Sequence, residues 1–405
     1  MLFYGPPMDA QTRTIVFINA AHTLTHYALL ILPTAVLAMG GAFPGLDYGA
    51  IVTLGTAMFA IYGLGSLPVG WLAERYGARA MMAVFFVGTG ATLIASGLAV
   101  TPITFAVALG LAGAFLAIYH PVGTALLVDV AGPGVGRAIG INGVFGNLGV
   151  SLAPLLTGVI VAVFGWRAGF VLPGAVCLAI GVAYLRTPAS VTAAARREGA
   201  VFPDIPRATA IKAFIVLTAI AVTNGLMFNA ITILLPKLLE ERLSRSADAL
   251  AFIGLIAFAV SICGAVTQYT VGRMADRVSL RALFLGLAAS QMPLVLGLTL
   301  ASGWLTVPFA AATIATIFGQ VTVNDAMLAR TVPPALRARA YAVRFFVGFI
   351  GAAAASPLVG MLHARTGDMQ AVLWTLAVVG LLTAGFAALF PRLTTATVPR
   401  PAAAE

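Results

Sequence analysis

Gly70-Trp71-Leu72-Ala73-Glu74-Arg75-Tyr76-Gly77-Ala78-Arg79 returns 202 residues later as Gly272-Arg273-Met274-Ala275-Asp276-Arg277-Val278-Ser279-Leu280-Arg281. One Gly, one acid and two Arg keep their places in both copies. Each copy joins two long apolar runs, so the chain reads as two related halves. The same offset relates Gly165 to Gly367 and Arg137 to Arg339. A Gly at such a place lets two helices approach closely, and an acid followed by bases can bridge helix ends that part and rejoin. A plain turn with topology-setting charges explains one copy, but not two at matching positions.

Working outward, the apolar runs decide the class. Of 405 residues, 60% are hydrophobic and 9% charged, whereas a soluble domain carries roughly 25% charged residues. A bilayer core about 30 Å thick needs about 20 apolar residues per helix, and runs of that length fill the chain. They predict spans 1 to 6 over 14–39, 48–72, 79–99, 103–128, 137–163 and 167–186. Spans 7 to 12 are predicted over 211–237, 250–272, 281–301, 305–330, 339–362 and 369–391. The first run is too long for a signal-peptide core and is expected to be retained as span 1. The expected division is an N-terminal six-helix bundle at 1–186, a polar linker at 187–210, a C-terminal six-helix bundle at 211–391 and a tail at 392–405. The fold class is all-α and integral to the membrane, with twelve transmembrane helices in two pseudo-symmetric bundles around a central cavity.

The net charge of +10 would suggest nucleic acid in a soluble protein. Here the basic residues are spread over alternate loops. With both termini cytoplasmic, eighteen of the 23 Lys and Arg fall on the inner side, and Arg167, Lys237, Arg242, Arg245 and Arg365 stay outside. That asymmetry is a topology signal, and it predicts a multi-pass protein of a bacterial-type cytoplasmic (inner) membrane. Cys177 and Cys263 lie in apolar runs and indicate neither a disulfide framework nor a Cys-based metal site. No cofactor and no nucleic-acid partner are expected, and the chain is expected to act as a monomer.

The duplicated loop resembles the signature of the major facilitator superfamily, Gly-x-Leu-Ala-Asp-Arg-x-Gly-Arg-Arg/Lys, on Gly70, Glu74, Arg75, Gly77 and Arg79, and on Gly272, Asp276, Arg277 and Arg281. That resemblance covers essentially the whole chain. It implies two bundles facing each other across a cavity lined mainly by spans 1, 4, 7 and 10, open alternately to each side. Span 5 carries Gly149, Pro154 and Gly158, which resemble a degenerate form of the Gly-x-x-x-Gly-Pro-x-x-Gly-Gly motif of drug-proton antiporters in that superfamily. Ala153 and Thr157 stand where that motif has Gly, and small residues there also serve packing, with Pro154 kinking the helix. Tyr119-His120-Pro121 and Gly146-Asn147-Leu148-Gly149 resemble the fosmidomycin-resistance branch of exporters. That branch tends to carry His then Asp in span 1, where this chain has His22 and His26. After His-Pro it continues with Glu and Arg, where this chain has Val122 and Ala125.

Polar side chains in hydrocarbon-crossing helices need a reason, since a central charge costs roughly 2.5–3.5 kcal/mol on insertion scales. They gather on spans 1, 4, 7 and 10. His22 and His26 share a helix face at i, i+4, His120 lies in span 4, Asn224 and Asn229 in span 7, and Gln320, Asn324 and Asp325 in span 10. The register sets His22 against Asn224. The three His are expected proton or substrate sites; interhelical hydrogen bonding is the alternative, and a transition-metal site a third. Asp325 and Arg344 suit either a proton carrier beside an anion-attracting base or a gate. Asn142 and Asn147 are further cavity-lining candidates, as is Gln268.

Enzyme motifs are absent from the sequence: it has no HExxH, no Walker A and no Gly-x-Ser-x-Gly. The leading expectation is therefore a proton-coupled exporter (antiporter) of small organic molecules or drugs. The alternative is a proton-coupled uptake symporter of a small organic anion, and a transition-metal transporter stands behind both.

Overall fold

The computed structural model describes residues 9–131, 135–187, 205–243, 249–275, 277–332 and 334–392, with the backbone alone at 135–137, 329, 334–339, 341, 342 and 345. Asp276 of the second motif copy, most of the 187–210 linker and nearly all of the 392–405 tail lie outside the described residues. Among the described residues eleven helices are long and apolar enough to cross a membrane, and a bent pair at the start, taken as one span, makes a twelfth. Span 1 runs Ala10–Leu29 and, after a 42° bend, Ile31–Ala38. Span 2 is Tyr48–Tyr76 and span 3 Ala78–Leu98. Span 4 begins at Pro102–Leu116, passes through a π-helical turn at Tyr119–Gly123 and ends at Thr124–Ala131. Spans 5 and 6 are Val135–Phe164 and Ala168–Arg186. Spans 7 to 9 are Arg207–Leu243, Leu250–Met274 and Leu280–Leu300. Spans 10 to 12 are Thr306–Thr331, Pro334–Thr366 and Gln370–Ala388.

Local chemistry sets these ends. Asp9 accepts from the Thr12 amide and Asp47 from the Ala50 amide, each satisfying a free N–H at a helix start. Thr101 and Thr104 form a reciprocal capping box, with Pro102 at the first helical position. Gly165 and Gly367, paired by the 202 register, end spans 5 and 11 at φ of 78° and 80°. Only Gly enters that left-handed region freely. Several spans reach past the expected bounds, span 7 the furthest. Span 7 starts at Arg207, inside the stretch read as linker, and runs past 237 to Leu243, because Lys237, Glu240 and Glu241 prolong a helix as readily as they end a membrane span.

The repeat is visible in how each half is tied. Arg79 donates to the carbonyls of Leu185 and Thr187 at the end of span 6, and Arg281 donates to that of Phe390 just past span 12. The last carbonyls of a helix have no partner of their own, so the motif's final Arg locks loop 2–3 to span 6 and loop 8–9 to span 12. At the opposite end Arg167 covers Gly97 and Ala99, and Arg242 covers Leu298 and Ala301.

Twelve crossings bring the chain back to the side where it began; that side is here the terminal end, and the other the far end. The halves meet along two equivalent seams, spans 2 with 11 and spans 5 with 8. A Cβ on Gly360 would sit 2.4 Å from the Gly49 carbonyl oxygen, and one on Gly158 would sit 2.8 Å from that of Leu250. Gly158 and Gly360 are 202 apart. In one seam Ser356 Oγ donates to the Val52 carbonyl at 2.6 Å. In the other, at the equivalent height, Gly254 lies against the Pro154 carbonyl. One hydrophobic core joins both halves at the far end, including Ile31 and Val36 with Leu235, Leu238, Ile253 and Val359. At the terminal end the second half has a core of its own around Leu217, Phe284, Val323 and Leu328. A Cβ on Gly70, Gly140 or Gly143 would meet no atom of the described residues within 4 Å. Among the described residues the halves thus share a core at the far end, while the core around Leu217 and Phe284 at the terminal end belongs to the second half alone.

Candidate functional site

The π-helical turn of span 4 aims His120 at span 1. Pro121 has no N–H and cannot close the normal i to i−4 bond, so the helix widens by one residue there. The widened turn presents Tyr119 and His120 together. The Tyr119 ring stacks on His22 at 4.7 Å between centroids, and His22, His26 and His120 lie 5.0–5.6 Å from one another. Each of the three offers a ring nitrogen, all within 4.8 Å of one another, and each ring is half-buried.

Asn142 of span 5 organises this cluster. Its carbonyl oxygen takes a 2.7 Å bond from His22 Nδ1, its Oδ1 accepts from the Tyr119 hydroxyl at 2.9 Å, and its amide donates to Asn19 Oδ1 at 2.9 Å. Because a carbonyl only accepts, His22 carries its proton on Nδ1 and presents a bare Nε2. Tyr119, quoted in the sequence only as part of a motif, is thus a member of the site in its own right. Asn142→Leu keeps the volume but strands the Tyr119 hydroxyl and the Asn19 amide. It is expected to lower stability by about 1–3 kcal/mol for each buried group left unpaired, read as a fall in unfolding temperature in detergent. An unchanged temperature would show that the network organises without stabilising.

In the second half Asn224, Gln320 and Asn324 are 5%, 0% and 0% exposed. Gln320 donates to Asn324 at 3.2 Å, one turn away on the same helix. Among the described residues the Asn224 Oδ1, Gln320 Oε1 and Asn324 Nδ2 atoms are buried without a hydrogen-bond partner. These amides were expected among the substrate or proton sites, and all three are buried. Asn229 donates to the Gly225 carbonyl of its own helix at 2.9 Å. Asp325 pairs with Arg344, which is 9% exposed against 42% for the carboxylate. Asn147 bonds Gln268 across the span 5–8 seam, and Phe349 of span 11 reaches the first half at Tyr62, 4.9 Å between rings.

The loop motif and the span 5 motif take different parts. Glu74 and Arg75 are exposed, with Arg75 over the Trp71 and Tyr76 rings. Gly77 makes the turn between spans 2 and 3 at φ 84°, and Gly272 has only Thr322 at 3.9 Å. Arg277 is exposed. The motif was read as bridging helix ends; at the terminal end described here its Arg79 and Arg281 tie ends within a half. Gly149 lies against the Thr23 carbonyl of span 1, and Gly351, 202 residues on, against the Val222 carbonyl of span 7. Gly149 and Gly158 thus recur as Gly351 and Gly360, and both pairs serve close packing.

A cluster that the sequence reading did not single out closes the far end. His363 bonds Glu241 at 3.0 Å, and Glu241 also accepts from the Met369 amide. Tyr48 of the first half sits against His363 at 4.6 Å, under the Lys237 ammonium. Its only sequence signal was Lys237 spaced three and four residues from two acids.

A family model described as Major Facilitator Superfamily matches residues 15–250 and 217–405. The "Probable hexose phosphate transport protein" of Chlamydia pneumoniae is 29% identical over 139 residues, 34% of this chain and 30% of that protein. Its counterpart in Chlamydia trachomatis serovar D is 28% identical over 138 residues, again 34% and 30%. The chain thus matches under a third of the length of these relatives. Among solved structures, a D-xylose-proton symporter superposes with a TM-score of 0.77 at 15% identity, covering 96% of this chain and 99% of that one. A bacterial homologue of the human lysosomal transporter Spinster, in an inward-facing and unoccupied conformation, gives 0.72 at 14%, covering 95% of each. At such identities these two structures speak for the fold. Duplicated loops, paired seams and a family match over both halves converge: the chain belongs to the Major Facilitator Superfamily of membrane transporters.

Proposed function

We propose that this transporter carries a small organic anion together with protons, alternating between the state described here and one packed shut at the terminal end. The observation that carries this reading is the Asp325–Arg344 pair within spans 10 and 11. A proton on Asp325 removes the charge that faces Arg344 and releases the guanidinium for an anionic group. Proton and anion then favour each other's binding, as linkage requires. The partly exposed carboxylate beside a buried guanidinium suits that exchange. The names of the hexose phosphate relatives support an anionic cargo. The units that move are the halves 1–186 and 211–391, joined by 187–210, acting as a monomer in a bacterial-type cytoplasmic membrane with both termini inside.

Proton-coupled export of drugs is the second reading, favoured by the span 5 resemblance at Gly149, Pro154 and Gly158. The recurrence of both glycines in span 11 supports a packing role for them instead. Purified protein in vesicles with an internal pH indicator separates the readings under an imposed pH gradient. Sugar phosphates and carboxylates are expected to enter together with protons. Expulsion of drug-like solutes against entering protons would overturn the anion reading, as would solute flux with no proton movement.

A further inference from the structure

We propose that His22, His26 and His120 form a binding site for one divalent transition-metal ion of the Zn2+, Co2+ and Ni2+ class, entered from the central opening. The inference goes beyond the anion reading and rests on other residues. Three imidazole nitrogens converge from two spans, all within 4.8 Å of one another. Tetrahedral ligands about 2.0–2.1 Å from a Zn2+ ion lie about 3.4 Å apart. The rings must close by at most about 1.5 Å, which small χ adjustments on half-buried side chains supply.

Around His22 the surroundings are those a metal-binding His requires. Such a His donates its other ring N–H to a fixed acceptor, which sets the tautomer and the ring plane. His22 does this through Nδ1 to the Asn142 carbonyl, so Nε2 is left as a ligand. Asn142 is held in turn by Tyr119 and Asn19. Tyr119 stacks on the opposite face of the site, against His22. The widened turn at Tyr119–Gly123 brings His120 into the set, and π turns of this kind recur at functional sites.

The donor set selects the ion. Three imidazoles with no carboxylate among them suit Zn2+, Co2+, Ni2+ or Cu2+ and not the oxygen-seeking Mg2+ or Ca2+. Neutral imidazoles leave the ion its full double charge. Three ligands from the protein leave a fourth position on the partly exposed side of the cluster, for water or an anionic oxygen. The fourth His of the chain, His363, is bonded to Glu241 at the far end and takes no part.

The test uses the full chain, purified in detergent on a tag without histidine, stripped of metal and titrated with Co2+ at neutral to mildly alkaline pH. The expected result is one Co2+ per chain with the visible absorption of a tetrahedral nitrogen site, displaced by Zn2+ and unaffected by excess Mg2+. His26→Ala and His120→Ala should each weaken binding by at least about tenfold. His363→Ala should leave the titration unchanged. Each variant is compared at matched folding, judged by elution as a single species. Absence of the Co2+ band in the wild-type protein would overturn the proposal, as would binding that survives the double substitution of His26 and His120. Equal loss on His363→Ala would show non-specific binding and overturn it too.

Discussion

Asp325→Asn is expected to abolish concentrative uptake while leaving exchange of the anion across the membrane intact. One proton carried with each singly charged anion lets a pH gradient of one unit concentrate the solute about tenfold, since a unit is worth about 1.4 kcal/mol. The Asn amide cannot gain or lose a proton, so the accumulation ratio falls from about tenfold to about one. Its uncharged amide leaves no carboxylate at this position to compete with the anion for Arg344. The sign of the pH dependence follows from the same pair. In the wild-type protein the apparent affinity for the anion is expected to fall as pH rises, because carboxylate and anion compete for Arg344. In the variant it is flat and high. Arg344→Lys keeps the charge but loses the planar fork that meets a carboxylate or phosphate with two bonds, so affinity drops while proton linkage remains. These outcomes are measured by counterflow and gradient-driven uptake in the same vesicles. Tenfold accumulation by Asp325→Asn would leave the ion pair as a structural clasp and move the proton elsewhere.

The sequence made the twelve spans legible because lipid demands about 20 apolar residues at every crossing, and no tertiary detail overrides that demand. The 202 register was legible for a related reason. It marks places where one backbone must touch another or a chain must turn, and Gly165 with Gly367, Gly158 with Gly360 and Arg79 with Arg281 all prove to be such places. The facing of each helix was not legible. In a soluble protein an apolar stripe shows the inner face, but lipid and protein core are equally apolar. Nothing in the pattern therefore told that Asn224, Gln320 and Asn324 of spans 7 and 10 would be buried. The convergence of His22, His26 and His120 was half legible. The i, i+4 spacing put two rings on one face, but the third arrives through a widened turn whose only local sign is Pro121. Glu241 and His363 meet across 122 residues, and spacing along the chain carries no trace of that.

Gly254→Val is expected to drive the far end open. The Cβ it adds would stand 2.4 Å from the Pro154 carbonyl oxygen, 3.2 Å from its carbon and 3.3 Å from Leu155 Cα. All three are backbone atoms of span 5, which cannot swing aside as a side-chain tip does, so the seam itself must part. Overpacking of this kind costs about 1–3 kcal/mol, enough to shift a two-state balance about 5- to 150-fold. The cost falls only on the state with spans 5 and 8 in contact, so the opposite state gains population. Spin labels at Val100 and Leu300, 75% and 73% exposed at the far end of the two halves, should then report a longer distance, with Cys177 and Cys263 replaced. Gly174→Val is the control. Its Cβ would stand 2.8 Å from the Gly90 carbonyl oxygen within the first half, so it should lower the unfolding temperature without changing the label distance. Gly70→Val should act with the opposite sign. A Cβ there meets no atom of the described residues within 4 Å in the present state, so any penalty falls on the state in which the terminal end closes, and the short far-end distance is reinforced. A Gly254→Val protein that keeps the wild-type distance while unfolding at lower temperature would place the seam inside one rigid unit and remove the far end from the moving parts.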